Sequence, residues 1–157
     1  MTNVTDIASV VCETRIAARP ETVFAFFTEP DKMVRWQGTH VELVPTPGGV
    51  FAIDMNPQVR ARGTFVEVVP YSKIVFTWGW VGNTYGMPPG SSTVEVTLTP
   101  DGDGTHVRLV HRGLATPEMR DQHRIGWDIY LARLTVAAAG GDPGPDPNAN
   151  PHTEDQP

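Results

Sequence analysis

Residues 116–141 read TPEMRDQHRIGWDIYLARLTVAAAGG and predict one long helix that must dock on the rest of the fold. Thr116 is a suitable N-cap, and Pro117 can take the first helical position, where its missing N–H leaves no hydrogen bond unmade. Glu118 falls in the first turn, where the helix dipole favours an acid. Side chains three and four residues apart form one stripe: His123, Trp127, Tyr130, Leu131, Leu134 and Ala138. We expect this stripe to pack against a sheet.

Gly126 interrupts this helical pattern. A glycine inside a helix costs on the order of 1 kcal/mol relative to alanine. We therefore expect a strand, a neighbouring side chain or a ligand to approach the helix backbone at this position.

Upstream of the helix, alternating apolar and polar residues predict seven strands. These are residues 9–16, 41–44, 50–55, 63–69, 73–81, 93–99 and 107–111. Turn sequences such as Pro47-Gly48-Gly49 and Asp101-Gly102-Asp103-Gly104 separate them. Two short helices, beginning at Pro20 and Pro30, follow the first strand. This order predicts an α+β fold in which an antiparallel meander packs against the long helix.

The distribution of charge divides the chain into a nearly neutral body and an acidic tail. The chain carries 18 acids and 12 bases, for a net charge of −6, but four of the acids lie after residue 140. Residues 140–157 also hold five of the 15 prolines and almost nothing apolar, which predicts a disordered tail after a domain at residues 1–139. A body without clustered Lys and Arg argues against nucleic acid as a partner.

The sequence predicts a cytoplasmic protein. Its single cysteine, Cys12, excludes an intramolecular disulfide framework. The first 20 residues lack the basic and apolar regions of a secretion signal, and no apolar run approaches the roughly 20 residues needed to span a membrane. There is no GxSxG motif, phosphate-binding glycine loop or dinucleotide fingerprint, so we expect no cofactor.

Several short motifs connect the chain to a known family. They are residues 18–24 (ARPETVF), 31–36 (DKMVRW), 48–51 (GGVF), 63–70 (GTFVEVVP) with 74–78 (IVFTW), 104–105 (GT), 111–114 (HRGL) and 123–127 (HRIGW). With this element order, the chain resembles the START-like (SRPBCC) superfamily, in the branch named after the activator of the heat-shock-protein-90 ATPase and in its stand-alone bacterial form. The resemblance covers about residues 8–138. It implies the helix-grip fold, a curved antiparallel sheet of about seven strands around a long C-terminal helix.

In this fold a cavity lies between the sheet and the helix, and members of the superfamily bind lipids, sterols or polyketides there. The predicted inner faces supply a lining for such a ligand: Phe51, Ile53, Met55, Phe76, Trp78, Trp80, Val96, Leu109, His111, Trp127, Tyr130 and Leu134. Apolar pockets with a few polar groups are typical ligand sites. The alternative is that these side chains simply fill the core.

His111 and Tyr130 are the candidate catalytic residues, since either could move protons in a cyclase or dehydrase reaction. The alternative for His111 is a structural histidine that hydrogen-bonds the last helix. His111 and His123 could also meet across the cavity, but no third ligand or metal-binding spacing accompanies them, so we predict no metal site.

The sequence therefore favours a binder of a small hydrophobic molecule, aromatic or lipid-like. An enzyme of the cyclase or dehydrase type that acts on an apolar substrate is the first alternative. A chaperone-associated role like that of the family's namesake is the second, although the namesake also needs a separate domain. The sequence also allows a homodimer, in which the partner is a second copy of this chain.

Overall fold

Seven antiparallel strands form one curved sheet in a computed structural model, which describes residues 9–149 apart from the side chains of residues 83–85. The strands are β1 (Val10–Ile16), β2 (His40–Leu43), β3 (Val50–Asp54), β4 (Arg60–Val69), β5 (Lys73–Trp78), β6 (Ser92–Asp101) and β7 (Gly104–Arg112). Their order in the sheet is β1-β7-β6-β5-β4-β3-β2. Consecutive strands from β2 to β7 pair as a meander, and β1 closes the far edge against β7.

Helices pack against the sheet. They are α1 (Pro20–Thr28), α2 (Pro30–Met33) and α3 (Pro117–Ala138), and a 3₁₀ helix spans Val81–Gly86. The Thr116 hydroxyl oxygen accepts a hydrogen bond from the Met119 N–H at 3.1 Å, which confirms the predicted N-cap of α3. The predicted helix-grip architecture is therefore present.

The predicted stripe of α3 is its buried face. All six of its residues, from His123 to Ala138, are buried, whereas Ile125 and Ile129 on the opposite face are exposed. Part of the core under this stripe is a stack of rings, in which Phe51 and Phe76 lie nearly parallel with centroids 3.9 Å apart. Burial of the stripe holds α3 on the sheet.

Several strand boundaries differ from the sequence-based prediction, and two of them, in β4 and β5, lie near the aromatic end of the sheet. β4 begins at Arg60 rather than Gly63, because residues 60–64 pair with β3 and residues 65–69 pair with β5. β5 ends at Trp78 rather than Val81, since beyond Trp78 the chain no longer pairs with β6 and the Trp80 N–H donates instead to the Met87 carbonyl at 2.8 Å. The Arg62 N–H donates to the Gly79 carbonyl at 3.0 Å. Trp78 and Trp80 thus stand at the end of the sheet.

The segment after α3 packs on the body where the sequence predicted a disordered tail. The Arg133 guanidinium donates to the backbone carbonyls of Pro143, Gly144 and Pro145 at 3.0–3.2 Å. Composition is a poor guide here because the segment is held by hydrogen bonds to its backbone and to one carboxylate, and these need no apolar side chains. Residues 150–157 of the predicted tail lie outside the described residues.

Asp146 is the residue that anchors this segment. The residue is 9% exposed. Its Oδ2 accepts from the Gly38 N–H at 2.7 Å, and its Oδ1 accepts from the Tyr130 hydroxyl at 2.9 Å. Hydrogen bonds to a charged group contribute about 1.5–3 kcal/mol each.

We predict that Asp146→Ala lowers the free energy of unfolding by about 3–6 kcal/mol, because it removes the charged acceptor of both hydrogen bonds, each of which contributes about 1.5–3 kcal/mol. Chemical denaturation measures the change. Asp142→Ala is the matched control, since Asp142 lies in the same segment and its carboxylate accepts only a local, exposed hydrogen bond from Gly144. Equal stability of the two variants would show that the segment contributes nothing to the fold.

Candidate functional site

A cavity of about 240 Å³ lies between the ends of β3 and β5 and the middle of α3. Aromatic rings form much of its wall, and amide side chains stand among them. It is lined by Gln37, Met55, Asn56, Val59, Trp78, Trp80, Gln122, His123, Gly126, Trp127, Tyr130, Pro147 and Asn148. Gln122, Pro147 and Asn148 are exposed and mark its mouth.

Five of the twelve residues predicted to contact a ligand line this cavity. They are Met55, Trp78, Trp80, Trp127 and Tyr130. The other seven are buried but packed away from it: Phe51, Ile53, Phe76, Val96, Leu109, His111 and Leu134. The reason is packing, since rings such as Phe51 and Phe76 stack on each other and fill the space under the central strands. The cavity therefore occupies only one end of the predicted lining.

Trp78 is the centre of the aromatic wall. Its ring centroid lies 5.2 Å from that of Trp80 and 5.3 Å from that of Trp127. These separations are those of directly contacting rings. Three indoles from β5, the chain just beyond it and α3 thus meet at one place.

His111 joins α3 to the sheet through hydrogen bonds at both ring nitrogens. Nδ1 accepts from the Trp127 indole N–H at 3.0 Å, so in the neutral ring the proton is on Nε2. Nε2 then donates to the Ser92 hydroxyl at 2.8 Å, and that hydroxyl donates to the Trp78 carbonyl at 2.8 Å. These bonds favour the structural interpretation of His111 over a catalytic one.

His123 has the opposite proton position. Its Nδ1 lies 2.7 Å from the Met119 carbonyl, which can only accept, so Nδ1 carries the proton. Nε2 then accepts from the Trp80 indole N–H at 3.2 Å. A second tryptophan is therefore held by a second histidine.

Burial disfavours the charged form of both imidazoles. Burial, together with the nearby His123, holds the pKa of His111 well below its usual range. Burial also lowers the pKa of His123, against the opposing effect of its hydrogen bond to Met119. The two rings are 5.1 Å apart, close enough that a charge on one would disfavour a charge on the other.

The Tyr130 hydroxyl is also held by the protein. It donates to Asp146 at 2.9 Å and accepts from the Asn148 amide at 2.8 Å. Burial raises the pKa of Tyr130, and the charge of Asp146 adds to this effect. The second candidate catalytic residue is thus a neutral phenol engaged by the C-terminal segment.

Two polar atoms of residues that line the cavity have no partner among the described residues. The indole N–H of Trp78 and the Oε1 of Gln37 make no hydrogen bond within residues 9–149, although each residue is 2% exposed. A buried polar group without a partner costs about 1–3 kcal/mol. Such groups are rare in folded proteins and call for an explanation.

Seven lining residues were not predicted: Gln37, Asn56, Val59, Gln122, Gly126, Pro147 and Asn148. Of these, Gly126 carried a sequence signal, the unfavourable glycine inside a helix. A Cβ built on Gly126 would lie more than 4 Å from every described atom, apart from its two chain neighbours and the nearby backbone of the same helix. Open space adjoins the helix at Gly126, and neither a strand nor a side chain fills it.

Within residues 9–149, no three His, Cys, Asp or Glu side chains form a group able to hold a metal ion. Within the same described residues, no helix combines the length and the apolar content needed to cross a membrane.

The family described as "Activator of Hsp90 ATPase homolog 1-like protein" matches residues 17–139. The chain belongs to this family. A member from Rhizobium etli, an AHSA1-like protein solved by NMR, is 45% identical, with a TM-score of 0.68 over 88% of each chain. No curated protein matches the chain.

Solved structures of lower sequence identity share the fold of this chain. DynU16, from the dynemicin biosynthetic locus, is 20% identical, with a TM-score of 0.76 over 87% of this chain. The chain spans about half of DynU16, 49% of its length. The Aha1 dimer from Colwellia psychrerythraea is also 20% identical, with a TM-score of 0.71 over 85% of this chain and 97% of that one.

We predict that the two histidines have opposite neutral tautomers, with the proton on Nε2 in His111 and on Nδ1 in His123. Long-range ¹H–¹⁵N correlation spectra of the imidazole rings distinguish the tautomers. Exposed His40 provides an internal reference in the same spectra. The same tautomer in both buried rings would contradict the hydrogen-bond assignment.

Acid should destabilise the protein through these rings. Because the folded-state pKa of His111 lies below the unfolded value of about 6.5, the stability it contributes is complete above that pH and is lost as the pH falls below it. The loss approaches about 1.4 kcal/mol per pH unit for each such histidine. Urea unfolding at pH 7.5 and 5.5 measures it.

His111→Asn should have a smaller difference between these two pH values than the wild type, whereas His40→Asn should leave the difference unchanged because His40 is exposed. If His111→Asn does not fold, His123→Asn provides the same comparison. An unchanged difference in a folded variant would mean that these rings are not held neutral.

Proposed function

We propose that the protein binds a small hydrophobic, ring-containing molecule in the cavity between the sheet and α3. The observation that carries the proposal is the wall, where Trp78, Trp80 and Trp127 meet around open space of about 240 Å³. Apolar and aromatic pockets with a few polar groups are the usual sites of small ligands. The glycine at position 126 keeps the helix side of this space free.

The size of the cavity favours a compact ligand over an extended lipid. Pockets for drug-sized molecules are about 300–1,000 Å³, whereas a cavity of about 150 Å³ accepts benzene. About 240 Å³ lies between these values and suits a molecule of one or two rings. A larger molecule would have to extend past the exposed mouth.

The geometry favours binding over catalysis. A cyclase or dehydrase needs a group that exchanges a proton with its substrate. His111 has both nitrogens engaged and does not line the cavity, and the Tyr130 hydroxyl is engaged by Asp146 and Asn148. The chaperone-associated alternative, the homodimer and the cytoplasmic location stay predictions.

We predict that Gly126→Leu weakens binding of naphthalene at least about tenfold, because the added side chain enters the cavity from α3. Tryptophan emission gives the affinity, since three indoles line the site, and a thermal shift measured with naphthalene reports binding independently.

Ala132→Leu is the matched control, because it makes a comparable change on the exposed side of the same helix. It should keep the wild-type affinity. Equal affinity of Gly126→Leu and the wild type would move the ligand to another place, and the absence of any emission or thermal shift with the wild type would count against the proposed function.

A further inference from the structure

The cavity wall contains both satisfied and unsatisfied polar groups. The Trp80 and Trp127 indoles donate to histidines, and the Tyr130 hydroxyl donates to Asp146. By contrast, the Trp78 N–H and the Gln37 Oε1 are without partners among the described residues. One is a donor and the other an acceptor, and both residues line the same cavity.

We propose that the ligand is an uncharged ring compound that presents a hydrogen-bond acceptor to the Trp78 N–H and a donor to the Gln37 amide oxygen. A carbonyl oxygen meets the first requirement, and a phenolic hydroxyl can meet either. This inference rests on the proposed function, because it names the chemistry of the molecule that occupies the same cavity.

The two groups can distinguish between ligands because both are buried without a partner, whereas the indole N–H groups of Trp80 and Trp127 and the Tyr130 hydroxyl are already engaged. A site with buried groups that await a hydrogen bond rejects analogues that cannot supply it, since those analogues leave the groups unpaired. A plain hydrocarbon of the same shape would bury Trp78 and Gln37 without a partner. A ligand with both polar functions removes both penalties.

The absence of charge in the wall sets the second requirement. None of the 13 lining residues within the described chain is Lys, Arg, Asp or Glu. His123 adds no charge near neutral pH, because burial lowers its pKa. An anionic ligand would lose its hydration without meeting a cation, which is strongly unfavourable.

The test uses four probes that share one ring system: naphthalene, 2-acetylnaphthalene, 2-naphthol and 2-naphthoate. The first has no polar group, the second has an acceptor, the third has a hydroxyl, and the fourth is an anion. We expect the ketone and the naphthol to bind at least about tenfold more tightly than naphthalene, which is the effect of about one hydrogen bond. We expect 2-naphthoate to bind more weakly than both.

Two variants assign the contacts. Trp78→Phe removes the N–H and retains a ring, so it should abolish the advantage of the ketone over naphthalene. Gln37→Leu should leave the ketone within about twofold of its wild-type affinity but weaken the naphthol. Gln58→Leu is the matched control, since Gln58 is exposed and outside the cavity, and it should change none of the four affinities.

Gln37→Leu has a second readout that a structural glutamine would not give. Without ligand, this variant should melt a few degrees higher than the wild type, because it removes a buried oxygen that has no partner. If Trp78→Phe does not fold, this variant still decides the contact with the naphthol.

The outcomes separate the inference from the function on which it rests. Equal affinities for naphthalene, the ketone and the naphthol would overturn the inference and leave the proposed function standing. Tighter binding of 2-naphthoate would overturn the requirement for an uncharged ligand. Failure of every probe to bind would overturn the proposed function, and the inference with it.

Discussion

The hydrogen bond from Trp127 to His111 is the interaction on which the site depends, because it connects the helix to the sheet. From His111 the connection continues through Ser92 to the backbone of Trp78, so one chain of donors and acceptors crosses from α3 to β7, β6 and β5. Hydrogen bonds are directional, which fixes the helix at one position along the sheet more narrowly than apolar contact alone. These hydrogen bonds hold the Trp127 indole and the Trp78 backbone in place, and they thereby maintain the shape of the cavity.

The sequence predicted the parts of this protein that obey a local rule. Alternation along the strands, the Thr116 cap and the stripe on α3 each depend on neighbours in sequence, and the structure has all three. The cavity depends instead on how side chains from distant elements share space. Phe51 and Phe76 have the same pattern as Trp78, yet their rings stack and leave no room. Periodicity gives the face of a strand but not whether that face is filled.

The segment after α3 was missed for a different reason. Low apolar content predicts disorder because few side chains can be buried, but Arg133 binds three of the segment's carbonyls and Asp146 binds the body. Pro147 and Asn148 then form part of the cavity wall. The family match ends at residue 139, so these two residues of the wall lie outside the matched region, whereas the other lining residues lie within it. Relatives with the same domain can therefore differ in the site.

The pairing of β1 with β7 has a consequence for how the chain folds. Val10 lies opposite His111, so the first strand finds its partner only across most of the chain. Closing so long a loop is entropically costly, and folds rich in distant pairings form slowly. During synthesis β1 emerges from the ribosome before the other six strands. It stays unpaired until β7, the last strand in chain order, has been made. Until β7 pairs with β1 and β6, those two strands present unpaired edges to other chains.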